Sequence, residues 1–214
     1  MGSRAGGPFD LAAYAADLFA LLPAARGRGT PWAITGDLEA ILRATLAQLG
    51  SGYEIRGEIA IHRSAIVEPH AVLKPPCVIG PGCLVAAHAY LRGGVFLGDG
   101  AILGPSVEVK SSILLKGAKV AHLSFVGDSV IGSGVNIEAG AMLANYRNER
   151  AEKEIRVAID GARLRTGVEK FGALVGDRSR IGANAVLAPG TILEPDSIVA
   201  RLALVDQDDD GPSR

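Results

Sequence analysis

Aromatic rings are scarce in this chain. Only 5% of its 214 residues are Phe, Trp or Tyr, with a single Trp. Any core must therefore be filled by small and branched aliphatic side chains, and 48% of the residues are apolar. Cysteine is nearly absent as well. Cys77 and Cys83 match no zinc or redox spacing, which excludes a disulfide framework and points to a reducing compartment. Charge of one sign is missing too: 22 Lys and Arg balance 23 Asp and Glu, for a net charge of -1. That leaves no electrostatic footprint for nucleic acid or an anionic membrane surface. No long hydrophobic run is present. The most apolar early stretch, Leu11 to Leu22, is interrupted by Asp17 and is too short to cross a bilayer. No charged, apolar and small-residue sequence marks a secretory leader at the N-terminus. The expectation is a cytoplasmic protein. The chain also lacks a Gly-x-Ser-x-Gly elbow, a His-Glu-x-x-His pair and a phosphate loop of Walker type.

What is abundant is a period. Ile61, Val67, Leu73, Ile79, Val85, Leu91, Leu97, Leu103, Val109 and Leu115 fall every sixth residue. The fifth place of each unit is compact: Ala65, Ala71, Cys77, Cys83, Ala89, Val95, Ala101 and Val107. The pattern resumes at Val175, Ile181, Leu187, Leu193 and Val199. A helix repeats at about 3.6 residues and a strand at 2, so six fits neither alone. It fits a short strand plus a turn, one face of a parallel β-helix. Three faces make a triangular coil, so residues eighteen apart stack at about 4.8 Å.

The flanks differ. Residues 1–50 read as a helical extension. Asp10 is a candidate N-cap for Leu11, Tyr14, Leu18 and Leu22, which recur at helical spacing up to Pro23. Arg26 to Pro31 reads as a linker. Asp37 opens a second amphipathic segment over Leu38, Ile41, Leu42, Leu46 and Leu49, closed by Gly50. Such helices are expected on the end of the repeat, or on a neighbouring subunit, because solenoid ends need cover. The β-helix domain spans 51–205. The acidic tail, 206–214, is expected to be disordered.

The repeat breaks in one place. Val126 to Ile131 has five residues, another is missing or slipped just before, and the repeat stops after Leu143. An insertion at about 145–170 is polar and charged, with a hairpin turn suggested at Val157 to Gly161. It is either a solvated loop or an arm over a substrate or the next subunit.

Four histidines could do chemistry: His62, His70, His88 and His122. His70 and His88 are eighteen apart and should stack. A metal pair and a plain surface pair are both open, and no convincing third ligand is present. Arg92 and Lys110 are also eighteen apart, each directly after an inward aliphatic. Two stacked cations are unfavourable unless an anion lies between them. A substrate phosphate is one candidate; Glu108 or a neighbouring subunit's acid is the other.

The period covers most of Ile61 to Val199. On it the chain resembles the hexapeptide-repeat acyltransferases, whose fold is a left-handed parallel β-helix; the hand is implied by the resemblance alone. The segments Leu91-Arg92-Gly93, Val107 to Lys110, Ala121-His122-Leu123-Ser124-Phe125-Val126-Gly127-Asp128, Val135 to Gly140 and Ala144 to Asn148 narrow the likeness. They resemble the acetyltransferase domains of bifunctional N-acetylglucosamine-1-phosphate uridyltransferase/glucosamine-1-phosphate acetyltransferases. Thr166 to Ala173 looks more like related archaeal-type sugar-1-phosphate nucleotidyltransferases. The resemblance implies His122 as catalytic base. It implies Arg92 and Lys110 as holders of a sugar phosphate, and Asn136 and Asn145 as groups orienting the sugar and the acceptor amine. Tyr146 belongs to the same substrate-binding motif. Phe125 stands where that family has a tyrosine against the substrate, and Glu138 replaces a small residue; both departures point to a different acceptor. The family's nucleotidyl-transfer domain has no counterpart in the first sixty residues, so no nucleotidyltransferase activity is expected.

The implied reaction moves an acetyl group from acetyl-CoA, as co-substrate, to an amine of a sugar phosphate or nucleotide sugar. No metal is required, and a homotrimer shares the site. The alternatives are a silent sugar-phosphate-binding or assembly module on the same fold, and a sugar O-acetyltransferase.

Overall fold

The computed structural model describes residues 10–159 and 161–208. Its centre is a parallel coil of very short strands that turns through three walls per rung. The first wall stacks Ile66–Val67, Leu84–Val85, Ile102–Leu103, Lys119–Val120, Asn136–Ile137, Arg180–Ile181 and Ile198–Val199. The second runs from Val72–Leu73 through the start of Tyr90–Leu97, the start of Glu108–Leu114, Phe125–Gly127 and Met142–Leu143 to Val186–Leu187 and Leu204–Val205. The third holds Ile59–His62, Cys77–Ile79, the ends of the two longer strands, Val130–Ile131, Ala173–Val175 and Thr191–Leu193. Tyr53–Arg56 folds back antiparallel on Ile59–His62.

The six-residue period has a direct cause. The first-place aliphatic and the fifth-place compact residue both point into the prism: Leu91, Val95, Leu97, Ala101, Leu103, Val107 and Val109 are all buried together. A column of left-handed residues turns the chain from the first wall to the second. It contains His70, His88, Ser106, Leu123, Gly140, Asn184 and Leu202. Glycine, or a residue that tolerates that conformation, is needed there.

The expected period fails at its last member. Leu97 pairs with Leu114, not Leu115. Leu114 lies in the prism, and Leu115 packs outside it. The missing residue is at the corner between the second and third walls. There Arg92 pairs with Lys110 and Val95 with Ser112, leaving one strand a residue shorter than its neighbour. The five-residue step from Val126 to Ile131 repeats that shorter corner on the next rung.

The N-terminal segment forms α1 (Leu11–Tyr14), α2 (Leu18–Leu21), a 3-10 turn (Pro23–Ala25), α3 (Pro31–Gly36) and α4 (Leu38–Leu46). The single helix expected from Asp10 to Leu22 is broken in two. At the break, Ala16 N–H donates to the Asp177 carboxylate at 3.1 Å, and Asp177 N–H donates to Tyr14 carbonyl at 2.8 Å. Asp10 makes no side-chain cap. The expected linker contains the start of α3, where Thr30 accepts from Ala33 N–H and Pro31 takes the first turn. Asp37 precedes α4 but its carboxylate pairs with Arg28 instead of capping.

These helices do not cap an end of the coil. They cover the outside of the third wall. The outward residues there are Ala60, Val78, Phe96, Ile113, Val130, Leu174 and Ile192, and they form one buried cluster with Leu11, Leu18, Trp32, Ile34, Leu38 and Leu42. Fully burying each large aliphatic contributes about 1.5–3 kcal/mol. The insertion joins the same cluster. Its hairpin, Arg156–Ile159 with Ala162–Arg165, buries Ile155 and Val157, and Phe171 meets Trp32 edge-on at 5.8 Å. Its apolar side chains are thus packed on the third wall, not left in a solvated loop.

The acidic tail is partly anchored. Asp206 makes a two-pronged bridge to the buried Arg147 (2.6 Å on both prongs), and Asp208 is buried against Arg150. Residues 209–214 of the expected tail lie outside the described residues.

Candidate active site

The outer face of the second wall carries two short rows. Tyr90, Glu108, Phe125 and Met142 stack in one; Arg92, Lys110 and Gly127 stack in the other. Arg92 and Lys110 are therefore direct neighbours, as their spacing requires. Each has its own carboxylate: Arg92 Nε donates to Glu108 at 2.8 Å, and Lys110 Nζ to Asp128 at 2.8 and 2.7 Å. Glu108 was one of the expected partners. Asp128 was missed, because it sits at a corner (φ +45°) where spacing says nothing about side-chain direction.

Asp128 holds a second group. Asn145 Nδ2 donates to the same carboxylate, which brings Asn145 back across the rung to Lys110. Phe125 lies over Gly127. A Cβ on Gly127 would lie 2.7 Å from two ring carbons and 2.9 Å from Asn145 Cγ. Only glycine lets the ring and the amide converge. The wall thus gathers Arg92, Lys110, Phe125 and Asn145, with Glu108 and Asp128 as charge partners.

His122 stands at the corner where the first wall passes into the second, three residues before Phe125. It is exposed, and its ring makes no hydrogen bond among the described residues. Its backbone is fixed: the carbonyl accepts from Gly140 N–H at 3.0 Å, and a Cβ on Gly104 would meet His122 N at 2.9 Å. Asn136 is not with the others. It lies on the first wall, exposed, between Lys119 and Arg180 in one row. Tyr146 is exposed beyond Asn145, with Lys153 Nζ 5.3 Å from its ring centre. Glu138 is engaged by Arg201 (two contacts at 2.8 Å) and by Ala183 N–H.

Other candidates carry less. His70 and His88 do stack, with ring centres 5.5 Å apart and planes 10° from parallel. Among the described residues no group of three or more His, Cys, Asp or Glu could hold a metal ion. Burial pushes the Cys77 thiol up to about 12 and Cys83 to about 11, so neither is a thiolate near neutral pH. Among the described residues no helix is long and apolar enough to cross a membrane.

A cleft of about 680 Å³ opens at the corner between the second and third walls. Asp37, Glu39 and Arg43 line its helical side, Gly93, Ser111 and Asp128 the coil side, and Glu169 and Lys170 the return of the insertion.

Comparison with known proteins agrees with the coil. The family described as "Hexapeptide repeat of succinyl-transferase" matches residues 172–200. A bifunctional sugar-1-phosphate nucleotidylyltransferase/acetyltransferase of Sulfurisphaera tokodaii is 47% identical over 85 residues, 40% of this chain and 21% of that protein. A bifunctional protein GlmU of Methanococcus maripaludis is 36% identical over 184 residues, 84% of this chain and 44% of that protein. The chain thus spans less than half the length of these curated relatives. Among solved structures, a UDP-N-acetylglucosamine acyltransferase of Arabidopsis is 20% identical, with a TM-score of 0.38 over 69% of this chain and 61% of that one. The matched repeat and the three-walled coil give this chain the hexapeptide-repeat parallel β-helix fold, and the bifunctional relatives support reading it as an acetyltransferase domain.

Proposed function

We propose that the protein transfers an acetyl group from acetyl-CoA to an amino group on a sugar phosphate or nucleotide sugar. The observation that carries this reading is one short wall. It sets a cation pair and Asn145 along one edge, and an exposed imidazole at the other. An acceptor laid across it places its anionic end on Arg92 and Lys110. Its sugar ring lies over Phe125, and its amine reaches His122.

The chemistry follows from those groups. The amine nitrogen attacks the thioester carbonyl carbon, and a C–N bond forms. His122 accepts the proton that this nitrogen sheds, the task of a general base. The C–S bond then breaks, and the leaving thiolate takes a proton to become free CoA thiol. A backbone N–H at a coil corner would stabilise the tetrahedral oxyanion. Asp128 is a positioning residue: it compensates Lys110 and aims Asn145. Asn136, on the first wall, would serve the site across the interface of a trimer, where the first wall of one copy meets the second wall of another.

The test is thiol release from acetyl-CoA with a panel of amino-sugar phosphates and nucleotide amino-sugars. His122→Ala should lower turnover by about 10²-fold or more, the usual worth of a general base. Its circular dichroism should not change. The second reading, a silent binding or assembly module, predicts that the unaltered protein releases no thiol with any acceptor.

A further inference from the structure

The cleft at the corner between the second and third walls continues the line of the acceptor beyond Lys110. Asp128 belongs to both: its carboxylate is on Lys110 Nζ, and it forms part of the cleft wall. Ser111, which accepts from Lys110 Nζ at 3.2 Å, is the next residue in. The wall is short: Phe125 to Gly127, opposite Lys110, is three strand residues, about 10 Å. A monophosphate would end there and leave the cleft empty. A cleft of about 680 Å³ is instead the size of a small-molecule site, for which about 300–1,000 Å³ is usual.

Its lining suits a nucleoside and a second phosphate. Lys170 makes no ion pair among the described residues and is exposed at the cleft. Arg43, on α4, adds a second cation, held by Glu39 and Glu58 at 3.1 and 2.8 Å. Glu39 and Glu169 are carboxylates of the kind that accept from ribose hydroxyls. Arg92 and Lys110 each already face a carboxylate, so a diphosphate gains from the further cation that Lys170 supplies.

Resting on the function proposed above, we infer that the acceptor is a nucleoside-diphosphate-linked amino sugar, with its nucleoside in this cleft and Lys170 on its second phosphate. The helical extension then selects the acceptor, since α3 and α4 supply one side of the cleft.

The test uses the full chain in calorimetry with UDP, dTDP, GDP and CDP, and with glucosamine 1-phosphate, which ends at the first phosphate. At least one diphosphate should bind. Lys170→Ala and the cleft-filling Ala40→Trp should each weaken it by roughly tenfold or more, while glucosamine 1-phosphate changes by less than about twofold. Failure of every diphosphate to bind overturns the inference, as does binding that neither variant weakens. Diphosphate binding without thiol release from any acceptor keeps the nucleotide site and overturns the transfer reaction. Thiol release with glucosamine 1-phosphate, and no diphosphate binding, does the reverse.

Discussion

At the scale of single residues, Asp128 decides most. It is 7% exposed, and it satisfies Lys110 and Asn145 together. Asp128→Asn would leave the largely buried Lys110 without its counter-charge. We expect a loss of about 2 kcal/mol in urea unfolding, within the range for stripping a partner from a buried charge. Asp206 gives a pH prediction. Its hydrogen bonds to Arg147 hold its carboxyl below the usual carboxylate value. The folded pKa is thus lower than the unfolded one. The stability it adds is present above about pH 4, and it is lost as pH falls through the folded value. Urea melts from neutral pH down to about pH 3 should show that loss, and Asp206→Asn should flatten it. Arg92 over Lys110 was legible in the sequence, because eighteen residues make one rung. Asp128 was not, because a left-handed corner residue has no fixed direction in a linear pattern. Asn136 lies on the first wall, apart from the second-wall groups, because motif proximity in sequence crosses a corner in space.

At the scale of elements, the helices and the third wall are one unit. Phe96, 6% exposed, lies between them. Phe96→Ala should cost about 3 kcal/mol, measured by thermal or urea unfolding. The cover over that wall was written in its outward residues, from Val78 to Ile192. Reading it needed the register, which slips by one residue at the Lys110 corner. The glycines under the corners give a paired prediction. A Cβ would meet His122 N at 2.9 Å from Gly104, and the carbonyl carbon of Leu115 at 3.0 Å from Gly98. Both Gly104→Ala and Gly98→Ala should lower stability by about 1–3 kcal/mol, as overpacking does. Only Gly104→Ala should also lower thiol release. Equal turnover in the two variants would separate His122 from the reaction.

At the scale of the whole molecule, the covered third wall leaves the first and second walls, and the corner between them, open. That corner exposes Leu123 (63%) and Leu202 (77%), with Ile198 and Leu204 beside it on either wall, each 68% exposed. Light scattering should give three chain masses for the protein as purified. Leu123→Asp together with Leu202→Asp should reduce that to one and abolish thiol release, since Asn136 and His122 then meet no second copy. A trimer unaffected by that double change would place the interface elsewhere. By itself the sequence determined the coil. A six-residue period is a local rule, with one inward aliphatic, one inward compact residue and one turn, and it repeats whatever lies outside. Only the tertiary structure decided which wall the helices cover, where the insertion folds, and that Asp128 joins Lys110 to Asn145. Those contacts lie between segments far apart in the chain, so they depend on register summed over many rungs, where one missing residue changes which side chain faces out.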